Sequence, residues 1–435
     1  MFNYKHTLSF LLFTIMLMVQ PPTRILISQA GELDPSFGDM GRLITNIEMF
    51  PNAALLQSDG KILVASTFFR DFDNTDFLLV RLYTDGRVDE TFGIGGQVVT
   101  DIFPGLSDGP SALAIQPDGK ILVAGGSRIF LRYLPTGALD PSFDQDGILI
   151  FDLGYGGSIN AIKILPDGCI LAIGVSAEYA YSNRLVLARF LPDGRLDTSF
   201  GNEGKITYEN DYGIGSFRAA GVAGVLVQPD GRFIVGGSVS FKQRGGGTHL
   251  WRFHPHGSPD ESFGLNGKVY IENFYTQALV FQPDGKIVTA AQSFTGPDFA
   301  SLLMRFTSNG SLDPSFGLNG KAFQDPDGFD EVIYDIQYQT DGKLLVSGKY
   351  RDSDFLLRRY LADGSPDITF GSNGKVTTDF MNFDLAQYLR LYLDGRILAV
   401  GSTIDDEGFQ FLCLARYLND WPILSNHIWF PIIKQ

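Results

Sequence analysis

The chain has 435 residues, enough for one large domain or two ordinary ones. Its formal net charge of −15 argues against nucleic acid or anionic lipid as partners, because such a surface repels polyanions. Fifty glycines, 36 phenylalanines and 17 tyrosines against seven methionines suit a turn-rich all-β protein.

Residues 1–30 read as a secretory signal peptide. Lys5 and His6 precede a mostly apolar run from Leu8 to Val19, and Ser28-Gln29-Ala30 supplies small residues for cleavage. The run falls short of the roughly 20 residues that cross a bilayer. The mature chain is therefore expected to begin at Gly31, to have no membrane span, and to be secreted or held in the cell envelope. Removing the segment deletes Lys5 and Arg24 and no acid, which makes the remainder more acidic.

From Leu33 onward the pattern Asp-x-(Ser/Thr)-Phe-(Gly/Asp)-x-x-Gly recurs at Asp34, Asp89, Asp140, Asp197, Asp260, Asp313 and Asp367. A period of about 55 residues without helical periodicity marks radially repeated β-structure, whose units bury their faces only against neighbours. Each unit reads as a Phe-Gly turn, a strand opening Gly-Lys-Val or similar, a second strand, an Asp-Gly hairpin, and two further strands. The hairpins centre on Gly60, Gly119, Gly168, Gly231, Gly285, Gly342 and Gly395. Asp-Gly between β-rich runs favours a tight antiparallel turn because glycine accepts positive φ.

The strand after the hairpin does not alternate, as in Ile62-Leu63-Val64-Ala65, so both of its faces are expected to be buried. Six residues beyond the hairpin glycine the residue is always small: Ser66, Gly125, Gly174, Gly237, Ala291, Gly348 and Gly401. Close backbone approach is the expected reason.

Arg81, Arg132, Arg189, Arg252, Arg305 and Arg359 each precede the next motif aspartate by eight residues. Arg416 has no motif aspartate after it and Asp34 no such arginine before it. The two complete one another if the last unit lies beside the first. The expectation is an all-β, seven-bladed propeller of four-stranded antiparallel blades over residues 31–418, closed by joining the terminal units. Pairs such as Arg81 with Asp89, Arg132 with Asp140, Arg189 with Asp197 and Arg416 with Asp34 are read as architectural. Residues 419–435 form a tail, an added strand or an envelope attachment signal.

The runs Leu33-Asp34-Pro35-Ser36-Phe37-Gly38, Gln116-Pro117-Asp118-Gly119-Lys120-Ile121 and Leu187-Ala188-Arg189-Phe190 closely resemble the delta-60 repeat of bacterial secreted proteins. The resemblance covers Leu33 to Tyr417 and implies a propeller-like fold. It brings no catalytic motif with it. Asp144 replaces the glycine after Phe143, and Cys169 replaces the basic residue after Gly168.

Chemistry is sparse. No nucleophile elbow, zinc-protease motif or phosphate loop occurs. The acidic stretches Asp71–Asp76, Asp325–Gly328 and Asp405–Glu407 read as solvated loops, since the first lacks the glycine and distal glutamate of a calcium hand. His249, His254 and His256 do not form a metal set by spacing. Cys169 and Cys413 lie in distant units, so no disulfide is expected. No cofactor or metal is expected either.

The Asp-Gly and Phe-Gly turns share one face of the ring, and the remaining connections share the other. Those remaining connections vary: Gly60 to Arg81 is 21 residues, Gly119 to Arg132 only 13. Variable loops on a rigid scaffold are where binding resides. Phe68, Tyr179, Tyr181, Tyr212, Phe241 and Arg244 are the candidate ligand contacts, with Phe69, Tyr155, Tyr208 and Phe294 nearby. The expected function is a monomeric, non-enzymatic binding propeller for an extracellular glycan or protein. The alternative is an extracellular hydrolase or lyase with its site on that face.

Overall fold

A computed structural model describes residues 29–71, 74–103, 108–125, 128–154, 157–177, 183–208, 215–216, 222–241, 245–293, 300–323, 331–350 and 354–420. Residues 1–28, which hold most of the segment expected to be a signal peptide, and the tail beyond Asp420 lie outside them.

Seven antiparallel sheets form a ring, in agreement with the repeat count. The first blade runs outward through Pro51–Leu56, Ile62–Asp71, Asn74–Leu82 and Gln97–Thr100. The closing blade runs through Phe383–Leu391, Ile397–Ile404 and Gln410–Tyr417, and takes Arg42–Glu48 from the other end of the chain as its outermost strand. Ile44 pairs with Cys413 in that seam. The sequence unit is thus offset from the blade by one strand, because the strand after each Phe-Gly turn completes the preceding sheet. In the fourth blade two segments, Gly215–Ser216 and Val222–Val227, share the inner edge of Phe233–Phe241.

Hydrophobic burial lies between blades. Each of seven apolar cores is shared by two neighbouring sheets, and the first joins Phe37, Val64 and Val80 to Leu398, Val400 and Leu414 across the seam. The non-alternating strand explains itself here, since Ile62, Leu63, Val64 and Ala65 are fully buried on both faces. The seven motif phenylalanines, from Phe37 to Phe370, are likewise 0% exposed. Each such ring contributes about 1.5–3 kcal/mol by leaving water.

The small residue has an exact structural counterpart in every blade, a register shift of the innermost strand. Pro51 pairs with Ser66 and Ala53 with Ala65, which leaves Asn52 bulged. Ala386 pairs with Gly401 and Tyr388 with Val400, which leaves Gln387 bulged. A Cβ on Gly401 would meet the Leu385 carbonyl at 1.7 Å, so this blade's close approach excludes a side chain, whereas the first and fifth blades carry the bulge opposite Ser66 and Ala291. The hairpin loop is three residues, as in Ser58-Asp59-Gly60, where Gly60 has φ of 82° and the Asp59 carboxylate accepts the Lys61 amide at 3.2 Å.

Candidate functional site

One face of the ring is occupied by a seven-fold clasp. In each copy the arginine Nε donates to the motif carboxylate: Arg81 to Asp89 at 2.8 Å, Arg132 to Asp140 at 2.7 Å, Arg189 to Asp197 at 2.6 Å and Arg416 to Asp34 at 2.7 Å. The other carboxylate oxygen accepts the amide and hydroxyl of the Ser or Thr two residues on, as Asp140 does from Ser142 at 3.0 and 2.7 Å. The guanidinium lies over the motif ring, 4.4 Å from the Phe92 centroid for Arg81 and 4.8 Å from Phe37 for Arg416.

The clasp also reaches the next blade. Arg81 donates to the Pro135 carbonyl at 2.5 Å, Arg189 to Pro255 at 3.0 Å and Arg252 to Ser308 at 2.5 Å. Arg416 does the same to Thr84, back at the start of the ring. Arg359 instead takes the side chains of Asn419 at 2.7 Å and Asp420 at 2.6 Å. The first tail residues therefore complete the sixth clasp.

A second cation follows most hairpins. Lys61 lies 3.2 Å from Asp89, Lys120 3.2 Å from Asp140 and Arg396 3.3 Å from Asp34. Burial raises the Asp140 carboxyl, but bonds from Ser142 and Lys120 and the charge of Arg132 outweigh it and hold the group down at about 2. In the third blade Cys169 occupies the cation position. It is buried and free, and burial pushes its thiol up to about 11.

The opposite face differs from blade to blade. Its longer connections are strand extensions: the first blade's central strands have ten and nine residues, the second blade's five each. Phe68 and Phe69 sit on such an extension, where side chains alternate. Phe68 packs half-buried against the core of the seam, whereas Phe69 is 66% exposed. Tyr208 also packs inward, donating its hydroxyl to the Gly257 carbonyl at 2.7 Å. Phe241 ends the strand Phe233–Phe241. Tyr155, Tyr179, Tyr181, Tyr212, Arg244 and Phe294 lie outside the described residues.

Two exposed aromatics on this face escaped the sequence reading. Phe50 links the closing blade to the first, and Phe409 sits in the closing blade's strand connection; they are 38% and 46% exposed. The Met49 amide donates to the Gln410 carbonyl at 3.0 Å, which ties these two connections together. The signal was available, because both residues occupy connections assigned to the variable face.

Acids gather at two blade junctions of the same face. Arg70 bonds Asp76 and lies 3.8 Å from Asp101. Asp108, 5% exposed, is held up at about 6, first by burial and then by the charges of Asp76 and Asp101. At the junction of the sixth and closing blades, Asp354, Asp379 and Asp384 bring carboxylate oxygens within 4.8 Å of one another, the one trio among the described residues close enough to share a cation. Asp384 accepts the Phe380 amide at 2.7 Å, and its carboxyl is raised chiefly by burial. The stretch Asp405–Glu407 is a turn in which Asp405 accepts the Glu407 and Phe409 amides at 3.0 and 2.9 Å. The histidines divide: His249 is buried and accepts from Trp251, while His254 and His256 stack 5.6 Å apart in a turn.

These features define a propeller repeat protein with one architectural face and one variable face. Residues 57–92, 116–143, 165–200, 228–263, 282–316 and 339–370 match the family model described as a domain of unknown function (DUF5122) beta-propeller. Each segment ends at a motif phenylalanine. The corresponding seventh copy is divided between the two ends of the chain, which the closure through Arg42–Glu48 explains. No curated protein matches the chain. Among solved structures it is similar to the polysaccharide lyase Uly1, with 10% identity over 88% of this chain and 91% of that one, at a TM-score of 0.51. It is also similar to a protein of unknown function from Dyadobacter fermentans, 13% identical over 88% and 99% of the two chains, at a TM-score of 0.46. The WD40 propeller domain of Doa1 gives 13% identity over 88% and 96%, at 0.46. At these identities the likeness concerns the fold.

Proposed function

We propose that the protein is a secreted or cell-surface binding propeller of the delta-60 repeat type, whose variable face takes an extracellular glycan or peptide. The observation that carries this reading is the exposure of Phe50 and Phe409 on that face at the seam between the closing and first blades, with Phe69 exposed on the other side of the first blade's strand extension. Large rings held in water on a rigid support favour a ligand with apolar faces. Asp405, Asp406 and Glu407 beside Phe409 supply acceptors for hydroxyl or amide donors. The clasped face has its charges committed to one another.

A glycan and peptide array probed with the mature chain tests this. Binding that survives in the parent and is lost in Phe69→Ser/Phe409→Ser supports the reading; equal binding by both overturns the assignment to this face. The hydrolase or lyase alternative has one supporting observation, the raised Asp108 carboxyl beside Asp76 and Asp101. Turnover of an array hit that Asp108→Asn abolishes would favour it.

A further inference from the structure

The innermost strands of the seven blades contact one another in an unbroken ring and enclose a central channel. One position on these strands is register-equivalent in all blades, paired with the second residue of the next strand, as Lys163 is with Leu171 and Arg390 with Leu398. Leu55, Ala114, Leu226, Val280 and Gln337 fill it elsewhere. Two cations therefore stand at one level of the channel, in the third and closing blades. Those blades lie across the ring from each other, and the charge of Arg390 is near enough to act on the Lys163 ammonium.

Their surroundings are unequal. Arg390 donates Nη1 to Asp335 at 2.7 Å and Nε to the Ala54 carbonyl at 2.8 Å, which spans three adjacent inner strands. Asp335 is fully engaged, accepting also the Leu389 amide at 2.9 Å and the Ile336 amide at 2.8 Å. Arg390 Nη2 and Lys163 Nζ meet no acceptor among the described residues. The Lys163 ammonium is partly buried and is made less basic first by burial and then by the charge of Arg390. The residue after the bulge is small in five blades, Ala53, Ala112, Ala161, Gly224 and Ala278, and is Asp335 and Tyr388 in the sixth and closing blades. Two like charges, with one carboxylate already spent, leave this level of the channel short of negative charge.

We propose that the central channel is an oxyanion site, in which a carboxylate, sulfate or phosphate group bridges Lys163 Nζ and Arg390 Nη2. The site is independent of the variable face and of whatever binds there. Its three sources share planar or tetrahedral oxygens that accept from an ammonium and a guanidinium edge at once.

The test uses the mature chain, titrated separately with sulfate, phosphate and acetate against chloride at constant ionic strength, with thermal midpoint as readout. At least one anion is expected to raise the midpoint saturably, and Lys163→Met to weaken that response by about tenfold or more. Lys205→Met, which removes a lysine from the outer rim, is expected to respond as the parent does. Identical responses in parent and Lys163→Met overturn the proposal. Should Lys163→Met fail to fold, crystals of the parent grown in selenate decide: an anomalous peak between Lys163 Nζ and Arg390 Nη2 supports the site, and its absence while surface sites fill overturns it.

Discussion

Arg416 donates Nε to Asp34 at 2.7 Å across 382 positions of sequence. The arginine is 2% exposed and the aspartate 4%, and the same guanidinium reaches Ser36 at 2.9 Å and the Thr84 carbonyl. The geometry repeats that of Arg81 with Asp89, eight positions apart. Ring closure thus uses the same side-chain unit as every internal junction, supplied in two halves by the chain ends. Removing Asp34 leaves the buried Arg416 without an opposing charge, at a cost of about 3–5 kcal/mol, whereas removing Arg416 leaves Asp34 with Arg396 alone at 3.3 Å.

The pair should therefore be strongly coupled. Asp34→Ala and Arg416→Ala are each expected to destabilise severely, and the double variant by less than the sum, with a coupling of about 1–3 kcal/mol in a double-mutant cycle followed by urea unfolding. Simple additivity would show that the two side chains stabilise the ring independently.

Cys169 marks the blade whose motif aspartate lacks its second cation. Cys169→Lys should restore the contact that Lys120 makes with Asp140 and raise stability by up to about 1 kcal/mol, read as a higher thermal midpoint. A lower midpoint would mean that burial of the thiol matters more than the missing charge.

Acid should open the ring through the clasps. The folded motif carboxyls lie below their unfolded value of about 3.9, so their stabilisation is complete above that pH and is lost as pH falls toward the folded value of about 2 at Asp140. Unfolding monitored by tryptophan fluorescence is expected to begin below about pH 4 and to shift to higher pH in Asp140→Asn.

Asp108 works in the opposite sense. Its folded value is raised to about 6, so its protonated form favours the fold at low pH and that contribution fades as pH rises through 6. Asp108→Asn should be more stable than the parent at pH 8, by up to roughly 3 kcal/mol, and close to it at pH 4. An unchanged difference between the two pH values would contradict the burial of this carboxyl.

Much of the architecture was legible because each blade repeats its own instructions. The constant offset from Arg81 to Asp89, the hairpin glycines and the small residue opposite the bulge recur in every unit. The blade boundary was not legible, since the strand that follows Phe37 looks like the opening of a unit and serves as the end of a sheet. Phe68 and Phe69 could not be told apart until the strand extension set which side faced the core. Asp76 and Asp101 meet only through the pairing of Asn74–Leu82 with Gln97–Thr100, and Asp108 joins them through the bond of its amide to the Thr75 carbonyl. Lys163 sits in an alternating strand where a lysine reads as solvated; only closure of the ring puts Arg390 opposite it.

The account rests most heavily on the seam, and hydrogen exchange on Arg416→Ala tests it most directly. Amides of Arg42–Glu48, Gln410–Tyr417 and the first blade's Asn74–Leu82 should lose protection, while those of Phe233–Phe241 and Gly245–Phe253 in the fourth blade keep it. Equal loss in the seam and in the fourth blade would contradict a ring fastened at that point.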